Sequence, residues 1–128
     1  MTEADFEYTP KYIYIAGPMS GIPEFNFPAF HRAEDWLRFA GYKSFNPATK
    51  DIERNLDLGA YQTGDSNRAA MAGFDFREAY LWDVSKVIEA DGIYMLTGWQ
   101  HSPGAIGEHS VGVAMKRHYP EYEIMYEQ

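Results

Sequence analysis

Two short apolar runs end in glycine and open into loops of small residues. They are KYIYIAG (11–17), followed by PMSG, and GIYMLTG (92–98), followed by WQHSPGAIGE. A strand with one wet face alternates polar and apolar residues. These runs do not, so both faces must be covered, as in a parallel sheet wrapped by helices. Helical segments lie between and after them. NFPAFHRAEDWLRFAGY carries Ala29, Phe30, Ala33, Trp36, Leu37 and Ala40 at helical spacing, with Asn26 as an expected cap, Pro28 in the first turn and Gly41 as the stop. YKSF (42–45) reads as a second strand ended by Asn46-Pro47. FDFREAYLWDVSKVIEADG and GAIGEHSVGVAMKRH read as helices, and EYEIMYE (121–127) as a last strand. The alternation predicts a single-domain α/β protein: a parallel sheet of about five strands with helices on both faces. Residues 11–128 form the predicted domain and 1–10 a flexible tail. Residues 50–75 are polar and carry Gly59, Gly64 and Gly73, which predicts a partly helical, mobile insertion or lid.

Composition narrows the function classes. The chain has 128 residues, enough for one core, and 45% of them are hydrophobic. The absence of Cys removes disulfides, a thiol nucleophile and Cys-based zinc sites, and makes a cytoplasmic protein the default. The apolar runs are far too short to span a membrane. The net charge of −8, with scattered basic residues, argues against polymeric nucleic acid as a partner. A small anion remains possible, because helix-start amides hold phosphate without Lys or Arg.

Ligands of open α/β sheets bind beyond the carboxyl ends of the strands. The loops there offer Gly17, Pro18, Met19, Ser20 and Gly21 on one side, and Trp99, Ser102 and Gly104 on the other. Small residues admit close backbone approach, and Ser20 and Ser102 can bind an oxygen. Trp99 can line a pocket for a flat base or simply cap the core. Either loop is also readable as an ordinary turn, and neither matches GxGxxG or GxxxxGK[ST]. Helical geometry places Glu108 on a face with Val111, Gly112 and Met115, and Asp83 with Phe76, Ala79, Tyr80 and Val87. Two carboxylates facing inward suit acid/base or nucleophilic work on a glycosidic bond. A helix cap for Glu108 and a loop hydrogen bond for Asp83 are the plainer alternatives. The helix start is expected to keep Glu108 ionised. Tyr14, just before the first loop, reaches the site or packs the core. His101 and His109 lack metal-ligand spacing, so no metal and no cofactor are expected.

The ordered pair YIAGPMSG…NFPAF…GY…NPA and D…ADGIYMLTGWQHSPGAIGEH…A resembles the nucleoside 2-deoxyribosyltransferase-like superfamily. More narrowly it resembles a small, mostly phage and prophage branch related to deoxynucleoside 5′-monophosphate N-glycosidases. The resemblance covers residues 11–126 and implies a flavodoxin-like sheet and a covalent mechanism. In that superfamily a Glu at the position of Glu108 attacks the anomeric carbon of a 2-deoxyribonucleoside. An Asp at the position of Asp83 assists the leaving base or orients the sugar, and Tyr14 matches a Tyr near the sugar. Gly17, Ser20, Gly21 and Ser102 match positions that hold a 5′-phosphate. The first loop has Pro18 and Met19 where the monophosphate hydrolases carry Arg, and EYEIMYEQ lacks the Asn-containing ending of the transferases. The resemblance thus implies hydrolysis of the N-glycosidic bond of a 2′-deoxynucleoside or its 5′-monophosphate. Base exchange and non-catalytic nucleotide sequestration are the alternatives. It also implies a homodimer or higher homo-oligomer, a state consistent with 10 Tyr and 3 Trp in so short a chain.

Overall fold

The computed structural model describes residues 9–54 and 56–128. Most of the expected tail, residues 1–8, therefore lies outside the described residues. The four β-rich runs form β1 (Tyr12–Ala16), β2 (Lys43–Phe45), β3 (Gly92–Met95) and β4 (Glu123–Tyr126). They pair in parallel in the order β2-β1-β3-β4, with Tyr14 opposite both Phe45 and Ile93 and Ile93 opposite Ile124. The fold is flavodoxin-like, with four strands among the described residues rather than about five. Among the described residues the chain between β2 and β3 forms helices and adds no strand.

Those helices are α1 (Phe27–Phe39) before β2, then α2 (Pro47–Glu53), α3 (Leu58–Thr63), α4 (Ser66–Met71) and α5 (Phe76–Glu89), and finally α6 (Pro103–His118). The pleat of the central strands sorts the core into two layers. Ile13, Ile15, Tyr94 and Leu96 pack against Phe27, Phe30, Ala33 and Leu37 of α1. Tyr14, Ala16, Ile93 and Met95 pack on the other face with Val87 of α5 and Ala105 of α6. None of the described helices is long and apolar enough to cross a membrane.

The segment expected as an insertion is three short helices fastened to the first layer. Side chains of Asn46, Asp57 and Asp65 cap α2, α3 and α4, and Ala48, Ala60 and Ala69 are fully buried. Gly64 locks the segment to the first loop. Its carbonyl accepts from the Gly21 N–H at 2.8 Å, and its φ is +74°. A Cβ there would strike the Ile22 carbonyl, so glycine is required.

Asn26 does not cap α1. Glu24, Phe25 and Asn26 all take left-handed conformations, with φ of 60°, 48° and 61°. The Asn26 side-chain amide instead donates to the Pro18 carbonyl at 3.0 Å, bracing the loop after β1.

Candidate active site

The loops that leave β1, β2 and β3 enclose one cavity of about 330 Å³, at the low end of small-molecule sites. Gly17, Pro18, Met19 and Ser20 line it from β1, and Pro47 and Asp51 from beyond β2. Ser102, Gly104 and Glu108 line it from beyond β3, and Asp83 and Tyr80 from α5. Phe25, Phe30, Phe74 and Phe76 give it an aromatic wall. Holding Phe25 left-handed costs roughly 1–2 kcal/mol, a backbone strain often found at functional sites.

Tyr14 is fully buried and points between α5 and α6, because even-numbered residues of β1 face that layer. Its hydroxyl donates to Glu108 Oε2 at 2.8 Å. Glu108 is 8% exposed. Asp83 stands beside this pair, with Oδ1 buried and without a hydrogen-bond partner. The two carboxylates face inward as the helical spacing predicted, and the Tyr14 phenol joins them from β1.

Their protonation differs from the expectation. Burial, then the charge of Asp83, pushes the Glu108 carboxyl up to about 8, against the opposing hydrogen bond from Tyr14. Burial and the charge of Asp51 raise Asp83 to about 7, while Arg54 and Tyr14 pull the other way. Burial, followed by the charges of Glu108 and Asp83, drives the Tyr14 phenol well above its ordinary value. Burial therefore favours the protonated form of Glu108. The helix start does not keep it ionised, because Glu108 lies in the second turn of α6 and the dipole fades within the first. Desolvation wins. The site holds shared protons that can be redistributed among Glu108, Asp83 and Tyr14.

The loop residues divide. Gly17, Pro18, Met19, Ser20, Ser102 and Gly104 line the cavity, and Ser102 Oγ also accepts from the Ala105 N–H at 3.2 Å, capping α6. Gly21 is not a lining residue; its N–H is engaged with Gly64. Trp99 is not a lining residue either. Its ring lies 4.2 Å from that of His109 and 6.1 Å from that of Tyr126, packed on α6 and β4. Its short 3-10 turn (Trp99–His101) carries the indole past the sheet end, away from the cavity.

Sequence reasoning missed Asp51, which is 8% exposed. Burial lifts it to about 6 despite its ion pair with Arg54 at 2.8 Å. Asp51 and Arg54 stand three apart in a polar segment, a spacing that reads as a solvated helix pair. Phe74 and Phe76 were legible only as the start of a helix. Among the described residues no group of three or more His, Asp or Glu is arranged to hold a metal ion.

No curated protein and no solved structure matches the chain. A family model described as a domain of unknown function, DUF4406, matches residues 11–119. That span takes in both cavity loops, the Tyr14–Glu108 pair and Asp83. With nearly the whole folded domain matched, the chain belongs to the DUF4406 family.

Proposed function

We propose that this protein hydrolyses the N-glycosidic bond of a 2′-deoxynucleoside through a covalent deoxyribosyl–Glu108 intermediate. The observation that carries this reading is the buried Tyr14–Glu108 hydrogen bond, with Asp83 alongside, in the lining of an aromatic-walled cavity. The productive form has Glu108 ionised and Asp83 protonated, which moves one proton within the cluster. Glu108 then attacks the anomeric carbon, the bond to the base breaks, and its electron pair leaves with the base nitrogen, which takes the proton from Asp83. Water, giving its proton to the Asp83 carboxylate, attacks the same carbon and frees Glu108. Two displacements replace one difficult step and retain configuration. Tyr14 holds Glu108 in line and stabilises its charge.

An unphosphorylated sugar fits the cavity better than a 5′-monophosphate. Pro18 and Pro103 have no N–H to offer. The Gly21 and Ile22 amides are paired to Gly64 and Met19 carbonyls, and the Ala105 and Ile106 amides to Ser102. Ser20 Oγ is paired with Ser66 Oγ. No Lys or Arg is among the described residues lining the cavity, whereas three carboxyl groups are. A phosphate dianion would lie in the same cavity as Asp51 and, in the productive form, ionised Glu108.

The burial that favours protonated Glu108 supports a second reading, a module that binds a nucleoside without turning it over. Exchange onto a second base would use the same residues. Exposed Leu81 and Ile88 on α5 and Ile106 and Val113 on α6 support a homo-oligomer, and a free nucleoside substrate fits a cytoplasmic location. Chromatography of base released from deoxynucleosides and their 5′-monophosphates tests the reading. Wild type should release base from the nucleosides, and Glu108→Gln should release none. Base exchange with a second base present would point to a transferase. No release from any substrate would remove the glycosidase.

A further inference from the structure

One buried acid in the cavity forms no bond and moves no proton in the displacement steps above, although its charge helps to raise Asp83. Asp51 reaches the cavity from α2, and its Oδ1 accepts from Arg54 Nη1 at 2.8 Å. A carboxylate has about four acceptor sites on its two oxygens. Among the described residues Oδ2 accepts no hydrogen bond, and it is not one of the fully buried atoms that lack a partner, so it stays accessible. The guanidinium holds the carboxylate in place. Arg54 is 11% exposed in its side chain, lies 5.9 Å over the Trp82 ring and donates its backbone N–H to the Asp51 carbonyl.

Topology fixes where Asp51 stands relative to Glu108. Asp51 follows β2, Glu108 follows β3, and β1 lies between those strands. Neighbouring strands are about 4.8 Å apart, so the two acids approach from strands about 10 Å apart. A nucleoside with its anomeric carbon at Glu108 thus extends its base across the end of β1 toward α2. This orientation rests on the displacement reading above. Phe74 and Phe76, which line the same cavity, supply flat apolar surface for a base. Its far edge then meets a group that, when ionised, can only accept hydrogen bonds.

The geometry points to Asp51 as the residue that selects the base: its free oxygen accepts from the exocyclic amino group of cytosine or adenine, and it repels the keto oxygen of uracil or thymine. Deoxycytidine and deoxyuridine differ at this edge by amino against keto and provide the cleanest comparison. A well-placed base contact discriminates by roughly ten- to hundred-fold.

The test is calorimetric binding of deoxycytidine and deoxyuridine to Glu108→Gln, which lacks the nucleophile and leaves the ligand intact. At about pH 7.5 Asp51 carries its charge. Deoxycytidine should bind roughly ten- to hundred-fold more tightly. Adding Asp51→Asn, which brings an amino donor, should bring the ratio to about one or reverse it. Equal affinities, a preference for deoxyuridine, or no binding of either would overturn the assignment without reliance on the Asp51 variant. A ratio unchanged in a folded Asp51→Asn protein would overturn it too. If deoxycytidine is preferred but wild type releases no base, Asp51 keeps its role and the glycosidase reading fails. If both nucleosides are cleaved and bound equally well, only the role of Asp51 fails.

Discussion

Replacing Glu108 with Gln should stabilise the protein at neutral pH and flatten its stability between pH 5 and 7. Gln copies the protonated acid in shape and can still accept from Tyr14. The sign follows from linkage. The Glu108 carboxyl moves from 4.5 in a free chain to about 8 in the fold, so the native state binds the extra proton. The stability this gives is complete below the unfolded value and is lost as pH rises toward the folded one. Each pH unit crossed between those two values removes about 1.4 kcal/mol, and integrating between pH 5 and 7 gives a loss of about 2–3 kcal/mol from Glu108 alone. For a domain of this size that is a fall in Tm of roughly 10 °C. Asp83 and Asp51 are raised as well and add to the slope in the same direction. The difference between wild type and Glu108→Gln isolates the Glu108 share. Thermal melts followed by circular dichroism at several pH values would measure it. Parallel pH dependences in the two proteins, or a wild type that gains stability over this range, would refute the argument that burial controls this acid.

Asp83→Asn should keep substrate affinity but lower kcat by about 10²–10⁴-fold and remove the alkaline limb from the pH–rate profile, read by steady-state kinetics. Tyr14→Phe removes a hydrogen bond that lowers the Glu108 value, so the activity profile should shift to higher pH; stability should fall by about 1 kcal/mol in chemical denaturation. Gly64→Ala, at φ +74° and against the Ile22 carbonyl, should cost more than about 1 kcal/mol and loosen the α3–α4 segment, measurable by Tm and hydrogen exchange. Trp99→Phe should leave base-release rates within about two-fold, because its ring packs on His109 rather than in the cavity.

The parts of the fold that the sequence made legible are those with strong periodicity. Continuous apolar runs marked β1 and β3 as buried on both faces, and the i+3 and i+4 spacing placed Glu108 and Asp83 on inward faces of α6 and α5. Tyr14 was readable as either a site or a core residue, and its hydrogen bond to Glu108 settles which layer it faces. The rest depended on tertiary contacts that no local pattern encodes. Asn26 looked like a cap, but its left-handed backbone turns the amide toward Pro18. Asp51 and Arg54 looked like a surface pair, but the small residues Ala48 and Ala60 draw the segment inward and bury it. In the first loop, the Gly21 amide and the Ser20 hydroxyl are paired to Gly64 and Ser66 by contacts that no local pattern encodes. Glu108 looked like an ionised helix-start residue, whereas enclosure by α5 and β1 raises it.

The most direct test of the central claim is mass spectrometry of the protein quenched during turnover of a deoxynucleoside. The account predicts a mass increase of one deoxyribosyl group, located on the peptide holding Glu108 and absent from Glu108→Gln. Rapid base release with no adduct on Glu108, or undiminished release by Glu108→Gln, would contradict it.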